Sequence, residues 1–151
     1  AVRQELPGLA LTSSHETFAP ESREIKSAAS RQQSWKSLYI CTSRFLAADA
    51  IQKKFSVSML ITDIDILFNG DIEGRLGPQT DVALQLRPDE RNMCKRALGG
   101  VVYVSARPTG REFLSRVSSD ISRFLAAGFY WFAFDQLALY RAVKSMPRDA
   151  F

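Results

Sequence analysis

Apolar residues recur at three- and four-residue spacings from Ser34 to Phe55, where Trp35, Leu38, Tyr39, Phe45, Leu46, Ile51 and Phe55 define a helix. The rhythm then changes. Val57-Ser58-Met59-Leu60-Ile61-Thr62 is short, apolar and partly β-branched, which predicts a buried strand. Asp63 and Asp65 stand at its C-terminal end, and Asn69-Gly70-Asp71 marks a turn. A second strand is predicted over Asp81 to Leu86, a charged loop or helical turn over Arg87 to Arg96, and a valine-rich third strand over Gly99 to Ser105 with Tyr103 inserted. Thr109-Gly110-Arg111-Glu112 has the form of a capping box. The helix it opens carries Phe113, Leu114, Val117, Ile121, Phe124 and Leu125 on one face, with Gly128 as its stop. A last helix runs from about Phe134 to Lys144, and Pro147 blocks its continuation.

Residues 1–33 keep no period, interrupted by Pro7, Gly8, Pro20 and several serines, and read as an irregular N-terminal segment. Its His15 is a lone histidine in a polar loop. Residues 34–151 read as one α/β domain. Strands alternating with amphipathic helices imply helices on a largely parallel sheet, where ligands bind beyond the carboxyl ends of the strands. The two aspartates fall at such an end.

Composition narrows this picture only slightly. Of the 151 residues, 46% are hydrophobic and 24% charged, which suits a packed core and argues against disorder of the whole chain. Twenty Lys and Arg against 16 Asp and Glu leave a formal charge of +4, compatible with a phosphate-bearing ligand and too small to indicate nucleic acid. The longest apolar run, between Phe124 and Phe134, is far short of the roughly 20 residues of a membrane span. Cys41 and Cys94 form no CxxC pattern and read as two free thiols, as in a reducing compartment such as the cytoplasm. The chain opens on Ala1 and stops shortly after Pro147, which reads as a fragment of a longer protein.

The candidate chemistry centres on Asp63 and Asp65. Residues i and i+2 of a strand share a face, so the two carboxylates would repel unless a cation or a donor offset them. Mg²⁺ or Mn²⁺ suits such a pair, because these ions take oxygen ligands and bridge carboxylates to substrate phosphates. The plain alternative has one Asp capping the turn and the other solvated.

The stretch YICTSRFLAADAIQKKFSVSMLITDIDILF, from Tyr39 to Phe68, resembles the part of GT-A-type glycosyltransferases in which an Arg-bearing helix precedes a strand ending in Asp-x-Asp. Downstream, GGVVYVSARPT from Gly99 to Thr109 is similar to a later strand of these nucleotide-diphospho-sugar transferases, and Phe134-Asp135-Gln136 to an Asp-Gln pair that opens a later helix. The resemblance covers about two thirds of the chain and rests on the order and spacing of its motifs. It implies a Rossmann-like GT-A sheet with flanking helices, incomplete in this chain, and transfer of a sugar from a nucleotide-diphosphate donor to a glycan, protein or small-molecule acceptor. Asp63 would contact the nucleotide and share the metal, and Asp65 would hold the Mn²⁺ or Mg²⁺ that bridges the diphosphate. Arg44 would lie near the nucleotide or diphosphate, or else form a helix-surface salt bridge. Gly99 and Gly100 would let the backbone approach the sugar, or simply form a turn. Asp135, supported by Gln136, would face acceptor or donor sugar as a base, or else stabilise a helix N-terminus.

The family's further metal ligand, often a late His, has no counterpart here, and neither does its first nucleotide-binding strand before Ser34. A haloacid-dehalogenase-type phosphohydrolase using Asp63 and Asp65 is a second reading, although Ile66-Leu67 replaces the small pair expected there. A non-catalytic nucleotide- or carbohydrate-binding relic is a third. The aromatic run Phe129-Tyr130-Trp131-Phe132 offers either core packing or a platform for a sugar ring.

Overall fold

A computed structural model describes residues 35–128 and 133–151, with side chains from Ile40 onward except that of Glu73. The N-terminal segment with His15 and the aromatic run 129–132 lie outside the described residues. Among the described residues, three helices and three strands follow one another as α1 (Trp35–Phe55), β1 (Met59–Thr62), β2 (Val82–Leu86), β3 (Ala97–Val104), α2 (Pro108–Ala126) and α3 (Phe134–Ser145). Single 3₁₀ turns occupy Glu73–Arg75, Met93–Lys95 and Arg148–Ala150.

The protein is α/β, but the described sheet is antiparallel rather than largely parallel. Its order is β1-β3-β2, with β3 antiparallel to both neighbours. The reason lies in the connections. A parallel neighbour needs a crossover, usually a helix, and no α-helix separates β1, β2 and β3. β3 returns through a loop and inserts between the two earlier strands.

Alternation along the strands divides the sheet into two faces. Met59, Ile61, Val82, Val102 and Val104 turn to the helices, and the last four are buried. Leu60, Ala83 and Tyr103 are aligned across the opposite face. The helices cover the first face with Phe45 and Ala48 of α1, Phe113, Leu114, Val117 and Ile121 of α2, and Phe134, Ala138, Leu139 and Ala142 of α3. Each fully buried large apolar side chain in this set contributes about 1.5–3 kcal/mol. Phe124 and Phe134 meet edge to face, 5.9 Å between centroids, where α2 and α3 pack. Arg141 of α3 also donates to Asp120 of α2 at 2.7 Å.

α1 contains no Gly or Pro in 21 residues, and Lys53 and Lys54 complement its C-terminal dipole. It ends at Ser56, whose left-handed φ of 52° lets its N–H donate to the Gln52 carbonyl at 2.8 Å. The buried Gln52 amide then donates to the Val57 and Ser105 carbonyls, tying α1 to the start of β1 and the end of β3. Not all of the apolar pattern of α1 faces the core: Ile51 and Phe55 are exposed.

The capping box does not form. Pro108 already begins α2, its missing N–H lost from a position that has no partner in any helix, and the N-cap Arg107 makes no side-chain cap. Glu112 pairs with Arg116 at 2.6 Å instead, and the Thr109 hydroxyl hydrogen-bonds Asp81. Asp81 also accepts from Ser105 Oγ at 2.6 Å and Arg107 Nε at 2.7 Å. Burial works to raise its pKa, but these donors and the Arg107 charge hold its carboxyl below the usual range. At its other end α2 stops as expected, with Gly128 at φ 74°. Among the described residues, no helix is long and apolar enough to cross a membrane, and Cys41 and Cys94 are free.

Candidate functional site

Four separate segments meet at one end of the sheet. Arg44 comes from the middle of α1, Asp63 from the residue after β1, Gly99 and Gly100 from within β3, and Asp135 with Gln136 from the first turn of α3. The Arg44 guanidinium joins them. Its Nη1 donates to Asp63 Oδ1, its Nη2 to Asp135 Oδ2 at 3.4 Å, and its Nε to the Cys41 carbonyl at 3.1 Å. It also lies over the Phe45 ring, 4.8 Å from the centroid. Each of the three nitrogens of Arg44 is therefore already engaged.

The two glycines do not make a turn. They lie inside β3, where the partner on β3 jumps from Val102, opposite Leu84, to Leu98, opposite Gln85. Gly99, Gly100 and Val101 form a bulge relative to β2, while Asp63 N–H still donates to the Gly100 carbonyl at 2.9 Å. Neither glycine has a positive φ, so their role is close approach. A Cβ on Gly99 would stand 2.9 Å from Arg44 Nη2 and 3.4 Å from Asp135 Oδ2. One on Gly100 would stand 3.4 Å from Asp63 Oδ2.

Asp135 is 4% exposed. Burial raises its carboxyl above the ordinary range, opposed by the backbone N–H of Gln136 and by Arg44. One cation faces two carboxylates here, so the cluster carries a net negative charge when both are ionised. Burial, and then the charge of Asp135, also push the Cys41 and Cys94 thiols up, which disfavours the nucleophilic thiolate.

Beside this cluster opens a cleft of about 840 Å³, a size suited to a small-molecule ligand. Asp63, Gly99, Gly100 and Gln136 line one part of it, and Leu60, Leu84 and Tyr103 form apolar wall. Asp135 is not among the lining residues, so it supports the site through Arg44 instead of facing the cleft. Asp65 is also outside the lining. β1 ends at Thr62 and the chain turns at Ile64–Asp65, so strand alternation no longer sets the two carboxylates on one face; Asp65 is exposed on the turn.

Among the described residues, no group of three or more His, Cys, Asp or Glu could hold a metal ion. Asp63 is occupied by Arg44, which leaves Asp65 as the free carboxylate. This donor set supplies a single exposed carboxylate, so a Mg²⁺ or Mn²⁺ held there would take its remaining ligands from substrate phosphates and water. It does not fit a metal caged by protein alone.

The motif reading overlooked Arg75. It lines the cleft from the loop between β1 and β2 and, among the described residues, its side chain has no ion-pair partner. The only hint in the sequence is a basic residue just after Asn69-Gly70-Asp71 and Gly74. No protein-family model, no curated protein and no solved structure matches this chain.

Proposed function

We propose that the chain is the nucleotide-sugar-binding part of a GT-A-type glycosyltransferase, and that its three antiparallel strands belong to a Rossmann-like sheet of that kind. What supports this reading is convergence. Arg44, Asp63, Gly99, Gly100, Asp135 and Gln136 were singled out by a resemblance between separate stretches of sequence; Asp63, Gly99, Gly100 and Gln136 line a single cleft, and Arg44 and Asp135 stand behind it.

In this reading Asp63, fixed by Arg44, presents an acceptor oxygen to the hydroxyls of the donor. The bulge at Gly99–Gly100 admits the donor close to the backbone, and the Gln136 amide hydrogen-bonds donor sugar or acceptor. Asp135 is a positioning residue that holds Arg44. Asp65 would hold a divalent cation arriving with the donor, which would supply positive charge against the departing nucleoside diphosphate. The acceptor oxygen bonds to the anomeric carbon as the bond to the diphosphate breaks; the electron pair leaves with the diphosphate, and the acceptor's proton passes to the departing diphosphate or to water. Groups placed in advance around that developing charge supply the rate. The ion pair with Arg44 blunts Asp63 as a nucleophile, which weighs against the phosphohydrolase.

Thermal shift with UDP- and GDP-sugars, with and without Mn²⁺, tests the proposal. One of these donors should raise the midpoint only when metal is present, by about 2.7 kcal/mol of stabilisation at a concentration 100 times Kd. Asp65→Ala should lose that shift while keeping the unliganded midpoint, because the carboxylate is exposed on a turn and contributes nothing to the core. A shift that survives in Asp65→Ala removes this residue from the metal site. A donor that stabilises equally without metal points to the non-catalytic relic.

A further inference from the structure

We infer that Arg75 is the cation that receives the phosphate groups of the ligand in the cleft, a deepening that rests on the proposed nucleotide-sugar site. Arg44 was the natural candidate, but it does not line the cleft, and three of its five N–H donors go to Cys41, Asp63 and Asp135. The charged side chains among the described residues that line the cleft are Asp63 and Arg75. Asp63 is neutralised by Arg44, and the Arg44–Asp63–Asp135 cluster has no positive charge to spare. A dianionic or trianionic group entering the cleft therefore finds one uncommitted cation, on the loop side.

The loop is built to hold that residue in place. Asp71 Oδ2 accepts the Gly74 N–H at 3.1 Å, and the Arg75 N–H donates to the Ile72 carbonyl at 3.0 Å. Gly74 fits because a Cβ there would stand 2.7 Å from Asp71 Oδ2. Ile72 and Leu76, on either side of the turn, line the cleft with Arg75 and seat the loop along its wall. A guanidinium presented this way offers parallel N–H donors to phosphate oxygens. The cleft acquires a polarity: phosphates toward Arg75, hydroxyls toward Asp63 and Gln136.

The test is calorimetric titration of the full chain and its Arg75→Gln and Arg75→Lys variants in Mn²⁺. The probes are UDP, GDP, the nucleosides uridine and guanosine, and inorganic pyrophosphate. Arg75→Gln should weaken the diphosphate that binds by roughly 10- to 100-fold, the range of a charge-assisted hydrogen bond, and leave nucleoside affinity unchanged. Arg75→Lys should retain part of the affinity, as a point charge without the fork. The melting temperature should not move, since the side chain is exposed and has no ion-pair partner among the described residues. Diphosphate binding by Arg75→Gln equal to wild type overturns the assignment and leaves the transferase reading intact. Wild type that takes pyrophosphate through Arg75 but no nucleotide keeps the anion site and overturns the transferase. Binding of neither overturns both.

Discussion

Gly110→Ala should destabilise the fold by about 2–3 kcal/mol, the upper part of the range for overpacking. The sign is the informative part. In a helix, alanine is intrinsically favoured over glycine by about 1 kcal/mol. Here a Cβ would stand 2.4 Å from the Ser105 carbonyl oxygen, 2.7 Å from its Oγ and 2.9 Å from its N. Two of these atoms are backbone and cannot swing aside. Ser105 is itself clamped: its carbonyl accepts from Gln52 at 2.9 Å, its N–H donates to the Asp81 carbonyl at 2.8 Å, and its hydroxyl donates to the Asp81 carboxylate. Relief would require α2 to move off the end of β3, opening the contact of Phe113 and Leu114 with the core. Urea denaturation should show a lower midpoint with an unchanged slope. An unchanged or raised midpoint would mean that α2 does not approach β3 this closely.

Arg44→Gln should cost about 3 kcal/mol near neutral pH, because it leaves the buried carboxylate of Asp135 without its counter-charge. The pH dependence follows from the raised pKa of Asp135. A carboxyl whose pKa is higher folded than unfolded favours the folded state when protonated. Its penalty grows as pH rises through the unfolded and then the folded pKa, and is relieved on acidification. Removing the Arg44 charge raises the folded pKa further, so the variant should regain stability relative to wild type as pH falls, over a wider window. Asp135→Asn should lessen the cost of Arg44→Gln, since the buried charge is gone. Denaturation midpoints across pH for the two single variants and the double variant check this. Strict additivity, or a loss independent of pH, would show that Arg44 and Asp135 are not coupled.

The elements were legible in the sequence because they depend on local pattern. α1, α2 and α3 lie where the three- and four-residue spacing put them, and β1 and β2 within the apolar runs that announced them. β1 begins at Met59 rather than Val57, and the Ser58 hydroxyl accepts from the Ala106 N–H at 3.0 Å. What pattern did not convey was pairing. The alternation of helices and strands suggested a parallel sheet, although no helix was predicted between the three strands, and that absence was the usable signal. The pair Gly99–Gly100, at the start of the predicted third strand, left close approach to a ligand and a plain turn as alternatives; the bulge exists only through the register with β2.

The candidate site divides in the same way. Arg44, Asp63, Asp135 and Gln136 could be singled out from motif order, and they do adjoin one another. Their partners could not be read. Nothing local shows that Arg44 is consumed by two carboxylates 19 and 91 residues away, and without that fact Arg75 is one arginine among many. Asp65 fails to join Asp63 in the cleft because β1 ends at Thr62, where the apolar run also stops: both aspartates follow the strand, and the i, i+2 rule does not carry into the turn at Ile64–Asp65.

The central claim is that the cleft over Gly99 and Gly100 binds a nucleotide-diphospho-sugar together with a divalent cation. The most direct measurement is titration of ¹⁵N-labelled protein with UDP- and GDP-sugars in Mg²⁺, followed at the backbone amides. One donor should shift Asp63, Gly99, Gly100, Arg75 and Gln136 saturably, and removal of the metal should reverse the shifts. Amides at the cleft that stay still at millimolar donor, with or without metal, would contradict the claim.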